Sequence, residues 1–409
     1  MLSSSIHFVR DYLFTLPVLA KFALGMVMLV VIPVVSRRLH IPAAVGLLLS
    51  GILVGPYVLD IFGTVRPIAD FLAELGKLLL MFFAGLEIDL ALFRRARKKS
   101  IALGIATTVL PLLFGTAVGL IFGYAAIPAI VIGSLLASHT LLGLPVVSRL
   151  GLGASEPVTI TVGATVMSDT LSLVVFAICV SIFTTGFSPS GLALLLAEIT
   201  GYILLVLFGL SRLGAYVLSR VKDEEDAYFV VMLSIMAIAG VLADAIQLPG
   251  IVGAFLAGLA INASVREAPA SAKLQFLGKS LFIPIFFIVT GFLIDPVKFV
   301  FGIFDNFLLV SSIIAALLGG KWAAAWLVGR ANGYNLNEQL TIWSLTLPQV
   351  AATLAATLVA HETFNAGQRL LDDRMLNVVL VLVFTTSLLG PVLTQRFAPR
   401  MREGTIGQS

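Results

Sequence analysis

The chain has 409 residues, of which 59% are hydrophobic and only 12% carry a charge. Soluble domains average about 25% charged residues, so the composition excludes a soluble enzyme. It predicts an all-α polytopic membrane protein in contact with the lipid bilayer. The net charge of +4 is attributed to Lys and Arg held on one side of a membrane, and no nucleic-acid partner is expected.

Apolar runs separated by charge clusters, Gly and Pro predict about thirteen membrane spans of about 20 residues each. In chain order the predicted spans are 18–36, 41–59, 69–89, 100–123, 126–148, 157–184, 190–219, 227–246, 248–264, 276–294, 303–329, 337–361 and 375–396. Lys and Arg gather in the loops on one side of these spans. The positive-inside rule then places the N-terminus outside and the C-terminus in the cytoplasm of a cell inner (plasma) membrane.

The two halves of the chain carry matching motifs. Pro42, Gly46 and Gly51 recur as Pro249, Gly253 and Gly258, segment 82–89 resembles 286–295, and Pro145 matches Pro348. Matched spans are an odd number of spans apart and therefore cross in opposite directions. This pattern predicts a six-helix inverted repeat, which is typical of secondary transporters whose sites lie near the midplane. The predicted parts are an extracytoplasmic segment at 1–17, a first repeat at 18–184, a connecting span at 185–226, a second repeat at 227–396 and a cytoplasmic tail at 397–409.

Pro145 and Pro348 lie within polar stretches of two matched spans. A mid-span proline removes a backbone donor and frees a carbonyl, which inside a membrane must be satisfied or line a cavity. We therefore predict two crossed discontinuous helices that form an ion site, although a simple proline kink would leave the same pattern. Polar candidates beside the breaks are Ser138, His139, Thr140, Gln349 and Thr353. The imidazole of His139 is expected to be a hydrogen-bonded structural group rather than a proton shuttle.

Ionisable side chains inside the spans are the strongest functional signal. Asp169 is the only ionisable residue between Val158 and Phe183, and a carboxylate at membrane depth is costly unless it is solvated, paired or protonated. Lys321 lies midway along the eleventh predicted span, where it either partners the ion site or extends its ammonium towards the membrane surface. Lys77 is expected to form a structural pair with Glu74, one helical turn away.

Enzyme chemistry is not expected of this chain. It contains four His and one Cys, without a metalloprotease motif, a Cys pair or a phosphate-binding loop. Ser138 and His139 are adjacent, and neighbouring residues on a helix do not face each other, which argues against an intramembrane hydrolase. No cofactor is expected.

Four segments carry a recognisable combination of motifs: 163–171, 85–89, 253–258 and 286–291. Together they resemble the bacterial monovalent cation:proton antiporter family, which includes Na+/H+ antiporters and the membrane domains of K+ efflux systems. The resemblance covers about residues 18–396 and implies a thirteen-helix homodimer with a mobile core domain and a fixed dimerisation domain. It implies that Asp169 binds the cation and the proton, that Thr140 contributes a ligand to Na+ or K+, and that Lys321 is the core lysine.

Ser168 departs from the family pattern at the position before Asp169. The resemblance implies a second acid there in electrogenic members, Asn in electroneutral members and Gln in the K+ efflux group. Without that acid, Lys321 either pairs with Asp169 or has no carboxylate partner. We expect Ser168, Ser138, Thr140 and Asp169 to form the ion- and proton-binding site.

Competition between H+ and a monovalent cation for Asp169 is the expected mechanism. One carboxylate then gives electroneutral Na+/H+ exchange by alternating access, whereas a proton shed by Lys321 would make the exchange electrogenic. Other hypotheses are K+/H+ exchange on the same chemistry, Na+-coupled symport of an organic anion, and a sensor that transports nothing. Li+ is a further candidate ion.

Overall fold

The computed structural model describes residues 14–39, 41–86, 96–153, 155–186, 188–221, 224–246, 248–265 and 269–401. The helices are α1 (Val18–Arg38), α2 (Ala43–Val54), α3 (Arg66–Leu86), α4 (Arg97–Ile121), α5 (Ala126–Ala137), α6 (Leu144–Arg149), α7 (Glu156–Thr185), α8 (Pro189–Leu204), α9 (Ser211–Arg220), α10 (Glu225–Ala245), α11 (Gly250–Val265), α12 (Pro269–Leu277), α13 (Ile283–Gly291), α14 (Pro296–Asp305), α15 (Phe307–Ala331), α16 (Leu336–Leu345), α17 (Ala351–Glu362) and α18 (Asp373–Phe397). A two-stranded hairpin of β1 (Phe364–Asn365) and β2 (Gln368–Arg369) joins α17 to α18.

The all-helical membrane fold expected from the composition is confirmed. Within the described ranges, eight helices are long and apolar enough to cross a membrane, and three shorter apolar helices accompany them. The expected count of thirteen spans and the inverted repeat stay predictions. The predicted pair is present, because Lys77 Nζ lies 2.7 Å from Glu74 Oε2 within α3.

The chain forms two compact units, each built from both halves of the sequence. The first unit contains residues 1–86, 206–239 and 254–305, and the second contains 87–205, 240–253 and 306–409. This division cuts across the predicted repeats, whose boundaries stay predictions. The tail beyond 401, most of the segment 1–17 and the motif residues 87–89 lie outside the described residues.

Glycines hold the helices of the first unit close together. A Cβ on Gly51 of α2 would lie 2.0 Å from Ile288 O of α13, and one on Gly258 of α11 would lie 2.0 Å from Phe82 O of α3. Small residues allow this approach, which replaces the hydrophobic driving force that helices lack in lipid. Gly51 and Gly258 are matched residues of the predicted repeat, and a Cβ on either would meet a backbone carbonyl of a neighbouring helix.

The second unit carries the polar candidates. Helix α4 packs against α5, α7 and α15, and both α16 and α17 pack against α18. Gly320 of α15 contacts Pro111 of α4 so closely that a Cβ there would lie 2.9 Å from Pro111 Cα. This contact brings the following residue, Lys321, into the interior of the unit.

Candidate ion-binding site

The first interruption lies between α5 and α6. Helix α5 ends at Ala137, α6 begins at Leu144, and residues 138–143 between them are unwound. Pro145 lies at the start of α6 rather than inside the break, where it lacks the N–H that would continue a helix onto the carbonyl of Leu141. The predicted break is therefore present, with its proline at one edge.

The second interruption lies between α16 and α17. Helix α16 ends at Leu345, α17 begins at Ala351, and Pro348 is in the non-helical stretch between them. Proline provides no donor for the carbonyl one turn back. Both matched spans are thus broken at the stretch where the sequence places its prolines.

The two unwound segments contact each other directly. Thr140 N donates to Pro348 O at 2.8 Å, and Gln349 Nε2 donates to Ser138 O at 2.6 Å. Ser138 Oγ lies 3.4 Å from Thr353 Oγ1, which donates to Gln349 Oε1 at 2.5 Å. The five residues that make these contacts were all named as candidates from the sequence, and they meet at one crossing. At this crossing, each break satisfies backbone groups freed by the other.

Lys321 of α15 is fully buried beside this crossing. Its Nζ donates to Ala137 O at 2.6 Å, Thr107 O at 3.1 Å and Ser138 O at 3.2 Å. Each of these carbonyls is one that its own helix cannot satisfy. The helical partner of Thr107 O would be residue 111, which is a proline, and Ala137 O and Ser138 O lie where α5 ends.

The lysine therefore belongs to the interior of the unit and does not extend towards a membrane surface. Among the described residues, no carboxylate oxygen lies within 4.0 Å of Lys321 Nζ. Lys321 therefore makes no direct ion pair in the described residues, and the two alternatives for its relation to Asp169 stay predictions.

Asp169 lies on α7 with its side chain half-buried. Its Oδ1 accepts a hydrogen bond from His139 N at 3.4 Å, and its backbone oxygen accepts one from Ser172 Oγ. Thr140 is also half-buried, whereas Ser138, Ser168, Gln349 and Thr353 are buried. Asp169 and Thr140 are therefore the two predicted ligands that remain accessible to an ion.

His139 and Thr165 lie beside these residues, although neither was assigned a functional role from the sequence. His139 Nε2 lies 3.0 Å from Thr165 Oγ1, and His139 Nδ1 lies 3.2 Å from Ser168 Oγ. The prediction of a hydrogen-bonded imidazole agrees with these contacts. The sequence could have indicated Thr165 as a neighbour of Asp169, since it lies one helical turn before Asp169 on α7.

The arrangement offers oxygen ligands of the kind that hard monovalent cations accept. A carboxylate faces an unwound segment, and unwound carbonyls with half-helix ends coordinate cations in discontinuous membrane helices. Within the described ranges, no group of three or more His, Cys, Asp or Glu residues gathers as for a resident metal. Among the described residues, the site therefore combines one carboxylate with neighbouring hydroxyl and backbone oxygens.

Comparison with known proteins identifies the family. A model described as "Sodium/hydrogen exchanger, transmembrane" matches residues 25–398. The Na(+)/H(+) antiporter NhaS5 of Synechocystis sp. is 42% identical over 94% of this chain, and the chain spans 55% of the length of NhaS5. A Na(+)/H(+) antiporter of Enterococcus hirae is 28% identical over 90% of this chain and 94% of its own length.

A solved structure shares the fold. The sodium proton antiporter MjNhaP1 from Methanocaldococcus jannaschii superposes with a TM-score of 0.70 at 15% identity, covering 95% of this chain and 99% of MjNhaP1. These relatives are transporters, which confirms that the chain is not an enzyme. It is a multi-pass membrane protein that belongs to the sodium/hydrogen exchanger family.

Proposed function

We propose that the chain exchanges Na+ for H+ at Asp169. The observation that carries this proposal is the half-buried carboxylate at the crossing of two unwound helices, with one protein hydrogen bond from His139 N. A partly exposed carboxylate can take up either a proton or a dehydrated cation. The relatives named above as Na(+)/H(+) antiporters support the same pair of ions.

Exchange is proposed to be electroneutral, one H+ for one cation. H+ and Na+ compete for the single negative charge of Asp169, and the protein changes between inward- and outward-open states only when this charge is neutralised. The contacts of Lys321 support this stoichiometry, because its ammonium is held by three backbone carbonyls. Held by these carbonyls, Lys321 is proposed to keep its proton while the cation binds at Asp169.

Alternating access is proposed to place Asp169 in contact with each side of the membrane in turn. The proposed setting is a homodimer in the cell inner membrane, with the N-terminus outside and the C-terminus in the cytoplasm, as the loop charges predict. Thr140 is proposed as a second ligand to the ion, and Ser168 and Ser138 as neighbours that shape the site. No cofactor takes part.

Proteoliposomes with an imposed proton gradient and a pH-sensitive dye test this function. Na+, Li+, K+ and choline are added in turn to wild type, Asp169→Asn and Asp70→Asn. Asp70 is a matched control, since it is an exposed carboxylate paired with Arg66 at the start of α3. Dequenching by Na+ that disappears only in Asp169→Asn is the expected result.

Other outcomes replace the proposal with defined alternatives. A response to K+ that exceeds the response to Na+ would make the protein a K+/H+ exchanger. A sustained current on a solid-supported membrane during Na+-driven exchange would contradict electroneutrality. Equal activity in wild type and Asp169→Asn would refute exchange at this carboxylate.

A further inference from the structure

We propose that His139 is a positioning residue for the cation. It sets the distance between the first unwound segment and the turn of α7 that bears Asp169, and thereby the preference between Na+ and K+. This inference rests on the proposed function, because it concerns the carboxylate at which exchange is placed. It assigns to the imidazole a defined task at the ion site in addition to filling space in the core.

The imidazole joins the first unwound segment to the helix that carries the carboxylate. His139 is the second residue after α5 and is 3% exposed. Its two ring nitrogens contact hydroxyls on α7, Nε2 with Thr165 at 3.0 Å and Nδ1 with Ser168 at 3.2 Å. Because these hydroxyls are three residues apart, they lie on one face of the helix, and the ring is held at both of its polar edges.

The hydroxyls can satisfy the ring in either neutral tautomer. Thr165 Oγ1 also reaches Thr161 O at 3.1 Å, and Ser168 Oγ reaches Thr165 O at 3.1 Å. A hydroxyl has one proton and two lone pairs, and a neutral imidazole has one donor and one acceptor. One hydroxyl therefore keeps its bond to the helix and accepts from the ring, while the other turns its proton to the bare ring nitrogen.

The same residue also contacts the carboxylate through its backbone. His139 N points to Asp169 Oδ1 at 3.4 Å, and Ser168 directly precedes Asp169 on α7. The ring thus fixes both the unwound backbone and the turn that bears the carboxylate. A cation held between these two elements meets a cage whose width depends on this link, and cage width is one recognised source of selectivity between Na+ and K+.

Substitutions that replace one ring nitrogen of His139 at a time distinguish the positioning role of its hydrogen bonds from the contribution of its bulk to core packing. The amide nitrogen of His139→Asn is placed near the position of Nδ1 and can keep the link to Ser168. The longer His139→Gln reaches towards Thr165 instead, and His139→Leu keeps bulk without either link. Thr165→Val is a milder variant that removes only the Nε2 partner.

The measurements are the apparent KM for Na+ and K+, the maximal exchange rate in proteoliposomes, and the Na+-dependent rise in Tm of the purified protein. We expect His139→Leu to raise the KM for Na+ by about fivefold to tenfold, as for the loss of one or two buried hydrogen bonds. The maximal rate changes much less, and the ratio of Na+ to K+ affinity falls. His139→Asn should stay closest to wild type, with His139→Gln between the two.

A lower Tm in all three His139 variants, with unchanged KM values and an unchanged preference between Na+ and K+, would overturn the proposal and leave only a packing role for the ring. The same holds if Thr165→Val and His139→Leu both retain the wild-type ratio of affinities. Failure of the proposed function is a separate result, since it appears as Na+-dependent exchange that persists in Asp169→Asn or is absent from wild type.

Discussion

Lys321→Met tests whether this lysine stabilises the broken helix. Methionine keeps most of the length of the side chain and removes its three donors. Thr107 O and Ala137 O then lose the donor that the structure gives them, while Ser138 O keeps its bond from Gln349 Nε2. Leaving a buried acceptor unsatisfied costs about 1–3 kcal/mol, so two acceptors predict a loss of about 2–6 kcal/mol in the free energy of unfolding.

The assay is thermal unfolding of the detergent-purified protein, followed by tryptophan fluorescence and by size-exclusion chromatography. Lys279→Met is the matched control, because Lys279 is exposed and its ammonium contacts Gln275 Oε1 at 3.2 Å. We expect a clearly lower Tm for Lys321→Met than for Lys279→Met.

A second substitution sharpens this test. Pro111→Ala restores the backbone N–H that can bond Thr107 O within α4, so it should recover part of the Tm lost by Lys321→Met. Equal melting of Lys321→Met, Lys279→Met and wild type would refute the assignment of Lys321 to the three carbonyls.

Further predictions concern the helix contacts and the crossing. Gly258→Ala places a Cβ at 2.0 Å from Phe82 O, and such overpacking should destabilise the protein by about 1–3 kcal/mol, measured as a lower Tm. Gly201→Ala is the control, since nothing lies within 4 Å of a Cβ at that position and alanine favours helix. If the Tm of Gly201→Ala were as low as that of Gly258→Ala, the steric explanation would be contradicted. Gln349→Leu removes the side-chain donor from Gln349 to Ser138 O. Because the first unwound segment would then shift relative to the second, Na+-driven exchange should fall by about tenfold or more. An unchanged exchange rate in this variant would show that the bond does not support transport.

The sequence predicted the positions of the two breaks because proline chemistry is local. Pro145 and Pro348 act on backbone groups within one turn, so their effect is visible in the primary structure. The same holds for Glu74 and Lys77, whose separation of three residues places them together on a helix. Asp169 was chosen as a candidate for a related reason, since burial of a charge in an apolar span is costly wherever the chain later packs.

The partners of Lys321 and His139 could not be predicted, because they depend on tertiary packing. Thr107 O and Ala137 O are 214 and 184 residues from Lys321 in the sequence. Pro111 removes the helical donor to a carbonyl of α4, but nothing in the sequence shows which other donor reaches that carbonyl. His139 was judged by its neighbour Ser138, whereas its actual partners lie on another helix.

Hydrogen bonding at the crossing bears on how two broken helices could form the proposed ion site. Among the described residues, every buried side-chain nitrogen and oxygen of the crossing has a partner. Several backbone groups at the breaks are bonded as well: Ala137 O and Ser138 O accept from Lys321, Ser138 O also accepts from Gln349, and Pro348 O accepts from Thr140 N. Gln349 N donates to Thr386 Oγ1. A satisfied framework has little to gain from binding an ion. Asp169 differs, because it has a charge, partial exposure and one hydrogen bond at 3.4 Å. Under the proposed function, the free energy of ion binding is concentrated at this one carboxylate, which is the condition for a proton and a cation to exclude each other.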